Sequence, residues 1–194
     1  MSTDSPVIFA VVLAAGSGRR FGGTKQLEEI DGESLVHRAA RLARELRGGH
    51  SLLVVGHDAD AVSTSAAGEC RFLALNERHV DGLGTSLALA ARILADMADA
   101  FILLLADQPR ITLAHLEALV AAWDGKPDSI VATAYAGTLG APALLAAGSF
   151  DKLAALDGDV GARSLFDNPA FDLSSVPFED AAVDVDTPAD LDAL

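Results

Sequence analysis

Residues 7–26, VIFAVVLAAGSGRRFGGTKQ, limit the fold more than any other part of the chain. Val7 to Leu13 is apolar without a break, which suits a strand covered on both faces rather than one alternating between core and water. Alanines and glycines follow, then Arg19, Arg20 and Lys25. A buried strand that opens into a basic, glycine-rich loop brings backbone N–H groups close to an anionic ligand. The same residues also fit a plain strand-to-helix turn carrying surface arginines.

Two familiar phosphate loops do not match. Gly16-Ser17-Gly18 is followed by Gly22, a GxGxxxG spacing instead of the dinucleotide GxGxxG. Asp31 stands at a suitable distance for a ribose-binding acid, but in a turn ahead of a helix. Gly23-Thr24-Lys25 replaces the Gly-Lys-Ser/Thr of a P-loop.

Downstream, short apolar runs alternate with helical patterns. Leu35, Val36, Ala39, Leu42, Ala43 and Leu46 recur at helical spacing until Gly48-Gly49. Residues 52–55, 72–75, 101–105 and 130–134 read as strands, and 183–185 as a short one. Residues 85–97 read as a helix capped by Thr85 or Ser86, and Thr112 caps another carrying Leu113, Leu116, Leu119, Val120 and Trp123. Strand runs that are apolar throughout imply a sheet with helices on both faces, hence α/β with mostly parallel strands. Ligands of such sheets bind beyond the carboxyl ends of the strands, where the loops at 14–25 and 76–84 and Asp107 would meet. With no repeat and no linker-like tract, residues 1–194 are expected to form one domain.

The chain has 28 acidic and 14 basic residues and a formal net charge of −14. Such a surface repels nucleic acid and anionic membranes, and neither is expected as a partner. A phosphate ligand would need its charge met locally, by the basic loop and by Mg²⁺ on carboxylates. The single cysteine, Cys70, excludes an internal disulfide, suits a reducing compartment and reads as a small core residue. No apolar run approaches the roughly 18 residues that cross a bilayer. The opening MSTDSPVIFA lacks a basic segment ahead of its apolar stretch, so a soluble, cytoplasmic protein is expected. Histidines 37, 50, 57, 79 and 115 show no zinc spacing and are expected at the surface or partly buried. No Gly-x-Ser-x-Gly elbow signals acyl transfer.

Leu13-Ala14-Ala15-Gly16-x-Gly18-x-Arg20-Phe21-Gly22-x-x-Lys25 resembles the signature of the sugar-phosphate and cofactor nucleotidyltransferases. It is most similar to the MobA-like branch, which attaches a nucleotide to molybdopterin. The resemblance implies a three-layer α/β/α, Rossmann-like nucleotidyltransferase fold. It also implies that Leu13, Ala14, Ala15, Gly16 and Gly18 wrap the nucleotide, that Arg20 contacts its phosphates, and that Lys25 neutralises charge on the group under attack. Serine is frequent in the family where this chain has Gly18, a departure that should leave a backbone cradle intact. In-line displacement at an α-phosphorus gathers negative charge on its oxygens and on departing pyrophosphate, so catalysis is mostly positioning and charge stabilisation. Lysine supplies a point donor for this and arginine a fork.

Residues 76–87, NERHVDGLGTSL, place Gly82 and Gly84 in a turn before a helix that starts near Thr85 and Ser86. Alone, this is an ordinary glycine turn with an N-cap. The resemblance implies that these four residues line the nucleotide. Their Gly-Leu-Gly-Thr-Ser-Leu form is closer to the cytidylyltransferases than to the guanylyl enzymes, which tilts the nucleotide from GTP towards CTP. Asp107 follows the strongest later strand run; the helix-cap role there falls more naturally to Thr112, and the resemblance makes Asp107 a Mg²⁺ ligand.

Gly140-Ala141-Pro142 resembles a Gly-His-Pro or Gly-Asn-Pro segment near the acceptor, which would place Pro142 there; Ala141 departs from that pattern. Gly158-Asp159-Val160-Gly161-Ala162-Arg163 resembles an acceptor-side element of the cytidylyltransferases, implying acceptor binding by Asp159 and Arg163. Arg163 could fork onto a phosphate; the plain alternative is a polar turn capping a short helix over 162–166. Thr187, Pro188 and Asp190 are helix-start chemistry, and the resemblance makes Asp186 a second Mg²⁺ ligand, with Asp184 in reserve.

Lys25, Arg20 and Asp107 are thus the expected catalytic group. The expected reaction is Mg²⁺-dependent transfer of CMP from CTP to the phosphate of molybdenum-bearing molybdopterin, with release of pyrophosphate. The alternatives are the same chemistry with GTP or another small acceptor, and a nucleotide sensor without turnover. Retention of Lys25, Asp107 and Asp186 together speaks against the sensor. A molybdoenzyme or its chaperone is the protein partner that could dock transiently.

Overall fold

The structure is a computed structural model that describes residues 5–18, 21–46 and 48–194. The opening apolar run becomes β1 (Ile8–Ala14). Ala10, Val12 and Ala14 point into one hydrophobic layer, and Phe9, Val11 and Leu13 into another. With both faces covered, a polar side chain at any of these positions would be buried without a partner, which is why the run is unbroken.

After β1 come a small hairpin, β2 (Glu29–Ile30) and β3 (Glu33–Ser34), then α1 (Leu35–Glu45), β4 (Ser51–Val55) and α2 (Ala59–Ser65). β5 (Phe72–Leu75), α3 (Leu83–Leu94), β6 (Ala100–Leu105) and α4 (Leu113–Ala122) follow. The last part holds β7 (Ser129–Tyr135), β8 (Thr138–Ala146), α5 (Phe150–Ala154), β9 (Asp172–Pro177) and α6 (Pro188–Asp192). Seven strands make one sheet in the order β5-β4-β1-β6-β8-β7-β9. β1 is parallel to β4 and β6, β4 to β5, and β7 to β9; β8 alone runs antiparallel to its neighbours β6 and β7. Side chains of α1, α2 and α4 pack on one face, those of α3 and α5 on the other. The result is the three-layer α/β/α architecture with a mostly parallel sheet.

Several local expectations give way to tertiary contacts. β8 and β9 are strands that the residues did not announce. β8 reads TLGAPALLA, poor in β-branched residues and interrupted by Pro142, yet it lies between two strands. Its pairing with β7 jumps from Ala132↔Ala143 to Thr133↔Gly140, leaving Ala141 and Pro142 in a bulge, where a residue without an N–H is tolerated. Residues 183–185 form no strand. The Val185 N–H donates to the Asp107 carbonyl at 2.9 Å and its side chain is fully buried, so one tether replaces a ladder. α3 starts at Leu83 behind Gly82 and ends at Leu94; the Thr85 hydroxyl donates backwards to the Gly82 and Arg78 carbonyls instead of capping. The short helix expected over 162–166 is a 3-10 helix at Ala162–Leu165. Thr112 does cap α4, accepting from the His115 N–H. Cys70 packs against the core, and burial pushes its thiol up to about 11.

His115 is buried rather than near the surface. Its ring stacks on Phe178 at 4.3 Å between centroids. Nε2 lies 2.7 Å from the Thr133 hydroxyl, which itself donates to the Pro142 carbonyl at 2.5 Å. The hydroxyl must therefore accept from the ring, so Nε2 carries the proton of a neutral imidazole. Burial lowers this histidine from 6.5 to about 4. The folded protein then binds fewer protons here than the unfolded chain, and stability falls as pH drops through the interval between those two values. Urea midpoints measured across that interval should decline less steeply for His115→Gln than for the unaltered protein; equal slopes would show that His115 does not carry this dependence.

Candidate active site

Leu13 of β1 pairs with Leu105 of β6, so the glycine loop and Asp107 leave the sheet from adjacent strand ends. They open onto a cavity of about 490 Å³. Of the residues expected in a site, Leu13, Ala15, Gly16, Gly18, Lys25, Gly82, Ser86, Asp107, Asp159 and Asp186 line it. Arg20 lies outside the described residues. Ala14, Gly84, Thr85, Pro142 and Arg163 are not brought to the cavity wall.

Each of these five has another place. Ala14 turns its side chain into the core. Thr85 ties down the 78–82 turn, and the buried Asn76 amide donates to both Thr85 and Ser86, at 2.9 and 2.8 Å. Pro142 is buried with its carbonyl on Thr133. Arg163 is exposed and donates to the Tyr135 hydroxyl at 2.8 Å. The Gly84 N–H donates to the Gly158 carbonyl at 2.8 Å, and a Cβ on Gly84 would meet three backbone oxygens of residues 157, 158 and 160 at 2.8–2.9 Å.

Gly82 serves the same close approach. Its φ is +121°, and a Cβ there would lie 2.4 Å from the Gly158 carbonyl group. These two glycines let the 78–84 and 157–161 segments zip together, assisted by Arg78, which donates to Asp81 and Asp157 at 2.9 Å each. Gly18 is required by a close approach as well. At φ +56°, its Cβ would fall 2.0 Å from the Gly23 carbonyl oxygen, so the family's serine does not fit the loop as this chain folds it.

Lys25 stands at the floor. It begins a 3-10 turn after the loop, and its Nζ donates to Asp107 Oδ2 at 2.7 Å, the Val185 carbonyl at 2.9 Å and Asp186 Oδ1 at 3.0 Å. Burial pulls the ammonium's pKa down, but Asp107 and Asp186 together hold it above the usual lysine value. Asp184 adds a third acid nearby; burial first, then the charges of Asp107 and Asp186, raise its carboxyl. Asp186 is aimed by the start of α6. Asp190 accepts from the Asp186 and Thr187 N–H groups and the Thr187 hydroxyl at 3.0, 2.6 and 2.9 Å. Hydrogen bonds from Thr187 hold the Asp190 carboxylate below its usual range.

The arrangement suits a divalent cation. Two carboxylates from separate segments converge on one positive point, and Asp107 Oδ1 is buried with no hydrogen-bond partner among the described residues. Hard oxygen donors of this kind are what Mg²⁺ or Mn²⁺ takes, with phosphate and water completing the shell.

Sequence reasoning missed Gln26. It is buried, lines the cavity, and its amide donates to the Gly16 carbonyl at 2.7 Å, pinning the glycine loop from below. Its position beside Lys25 was the available signal. It also missed an apolar wall of Phe21, Val80 and Leu83, the last two well exposed.

A glycine loop and a cation-bridged carboxylate pair at the parallel edge of an α/β sheet define a nucleotide-handling site. Comparison with known proteins sharpens this. The chain belongs to the MobA-like NTP transferase domain family, which it matches over residues 10–174, and it is a nucleotidyltransferase. It is 30% identical to the purine catabolism protein PucB of Bacillus subtilis, over 98% of this chain and 97% of that one. It is 32% identical to the nicotine blue oxidoreductase of Paenarthrobacter nicotinovorans, over 95% of each. Among solved structures, Rv0371C of Mycobacterium tuberculosis in complex with manganese is 25% identical and superposes with a TM-score of 0.77, over 97% of both chains.

The zipped glycines give a test. Gly82→Ala should cost about 1–3 kcal/mol in denaturant unfolding, from strain at positive φ plus the clash. Gly125→Ala, at φ +80° with open space around it, measures the strain alone and should cost less. Equal costs would mean that the close approach at Gly82 is not tight.

Proposed function

We propose that this nucleotidyltransferase moves CMP from CTP onto the phosphate of molybdenum-bearing molybdopterin, with Mg²⁺ held by Asp107 and Asp186. The observation that carries the reading is the Lys25 bridge: the lysine of the glycine loop and both aspartates meet at one point in the cavity that the loop opens onto. That combination suits a polyphosphate. Manganese in the related Rv0371C structure supports use of a divalent ion. The form of residues 82–87 supports CTP over GTP, and the MobA-like family supports a pterin-phosphate acceptor.

On this reading, N–H groups at Gly16 and Gly18 cradle the triphosphate and Gln26 holds that loop in shape. Lys25 donates to phosphate oxygens as charge builds on them. An oxygen of the acceptor phosphate bonds to the α-phosphorus while the α–β bridging bond breaks and pyrophosphate leaves. The acceptor phosphate is already anionic at neutral pH, so the step needs no strong general base. Mg²⁺, when bound, supplies further neutralisation of the triphosphate. Asp159, on the segment zipped to the nucleotide side, forms the acceptor side of the cavity, while Arg163 is turned to Tyr135 off the cavity wall.

Pyrophosphate release from CTP and from GTP, with and without molybdenum-loaded molybdopterin, tests this directly. Release is expected with CTP and acceptor together. Faster turnover of GTP would move the enzyme to the guanylyl group, and thermal stabilisation by NADH alone would favour a redox role. Asp107→Asn should lower turnover on the order of 10²–10³-fold, as loss of one preorganised charge does, while leaving the melting temperature close to that of the parent. Near-normal turnover would remove Asp107 from the site.

A further inference from the structure

The ammonium of Lys25 is held more completely than a group waiting for phosphate needs to be. Its three hydrogen bonds go to Asp107 Oδ2, the Val185 carbonyl and Asp186 Oδ1, at 2.7, 2.9 and 3.0 Å. Three protons on an ammonium and three oxygens around it saturate the group. The side chain is only 15% exposed. Lys25 thus holds one oxygen of each carboxylate that a metal on this pair would need, leaving Asp107 Oδ1 buried without a hydrogen-bond partner among the described residues. An ion held by these two carboxylates, with the ammonium in its present place, would crowd like charges into one small space.

The need for a cation here is severe. Asp107 and Asp186 bring two carboxylates onto one point, and the chain as a whole carries a formal net charge of −14. Lysine is suited to satisfying such a pair reversibly, being a point charge on a flexible stem. Lys25 also lines the same cavity as Gly16 and Gly18, so its ammonium can reach a polyphosphate seated on the loop.

We propose that Lys25 is a built-in counter-ion that holds the metal's place on Asp107 and Asp186, and that a triphosphate draws it away, so that the divalent ion enters with the nucleotide and not ahead of it. The proposal rests on the reading of Asp107 and Asp186 as the metal pair. It assigns Lys25 two partners in succession, first the carboxylates and then phosphate. It also implies that the protein resists loading by free divalent ions despite its acidity.

Binding of Mn²⁺, followed by the loss of its free-ion electron spin resonance signal, tests this without turnover. In the absence of nucleotide, the unaltered protein should bind Mn²⁺ weakly, whereas Lys25→Met and Lys25→Gln should bind one ion at least tenfold more tightly. The gain should vanish in Lys25→Met/Asp107→Asn, which separates this site from ions scattered over the acidic surface. Adding the non-cleavable α,β-methylene analogue of CTP or of GTP should bring the unaltered protein to tight binding. Mn²⁺ should also raise the melting temperature of Lys25→Met far more than that of the unaltered protein, a readout that requires both to be folded. Equally tight binding by the unaltered protein and Lys25→Met without nucleotide would overturn the proposal while leaving the metal pair in place. No tight Mn²⁺ binding by any of these proteins, even with the analogues, would overturn the metal pair as well.

Discussion

One ammonium joins three distant parts of the chain. Lys25 reaches Asp107 at the end of β6 and Val185 and Asp186 ahead of α6. Without a cation between them, two partly buried carboxylates would repel each other and leave the low-dielectric floor of the cavity. The glycine loop, the strongest later strand and the C-terminal turn are therefore registered to one another by charge. Everything else at this edge of the sheet sets where that charge sits. β1 must be buried on both faces so that its end is rigid, and β6 must lie beside it so that Asp107 emerges within reach of the lysine.

The second constraint is steric. Gly82 and Gly84 let the 78–84 turn press against the backbone of residues 157–160, and Arg78 reinforces the contact through Asp81 and Asp157. Two segments expected to serve different substrates thus form a single wall. Asp159 lines the cavity from that wall beside Gly82. Displacement of one segment must displace the other, because carbon and oxygen atoms already stand at contact across the seam. The two segments are coupled by packing.

The positions that the residues announced share a local cause. β1, α1 and the Thr112 cap are written in apolar runs, helical spacing and a hydroxyl ahead of a helix, and each forms as read. The failures share a cause as well. β8 contains Gly140, Pro142 and alanines, and is a strand only because β6 and β7 flank it. Residues 183–185 look like a strand, but the Val185 side chain and N–H are spent on the core and on Asp107. Gly82 and Gly84 were expected to line the nucleotide; Gly82 does line the cavity, but both glycines also admit the Gly158 backbone, a contact more than seventy residues away in sequence. Gln26 offered only its place beside Lys25 as a signal, since its amide acts on a carbonyl ten residues back, at Gly16.

The residues by themselves determined the α/β class and the buried first strand with its glycine loop, while the family resemblance singled out Lys25, Asp107 and Asp186. Those follow from patterns that neighbouring residues create and from chemistry that a side chain carries wherever it lies. Only the tertiary structure decided that the lysine rests on both aspartates, that Pro142 and Arg163 lie off the cavity wall, and that the two glycines close a seam. Such facts depend on which strand ends become neighbours, and that is set by packing across more than a hundred residues of separation, as between Lys25 and Asp186.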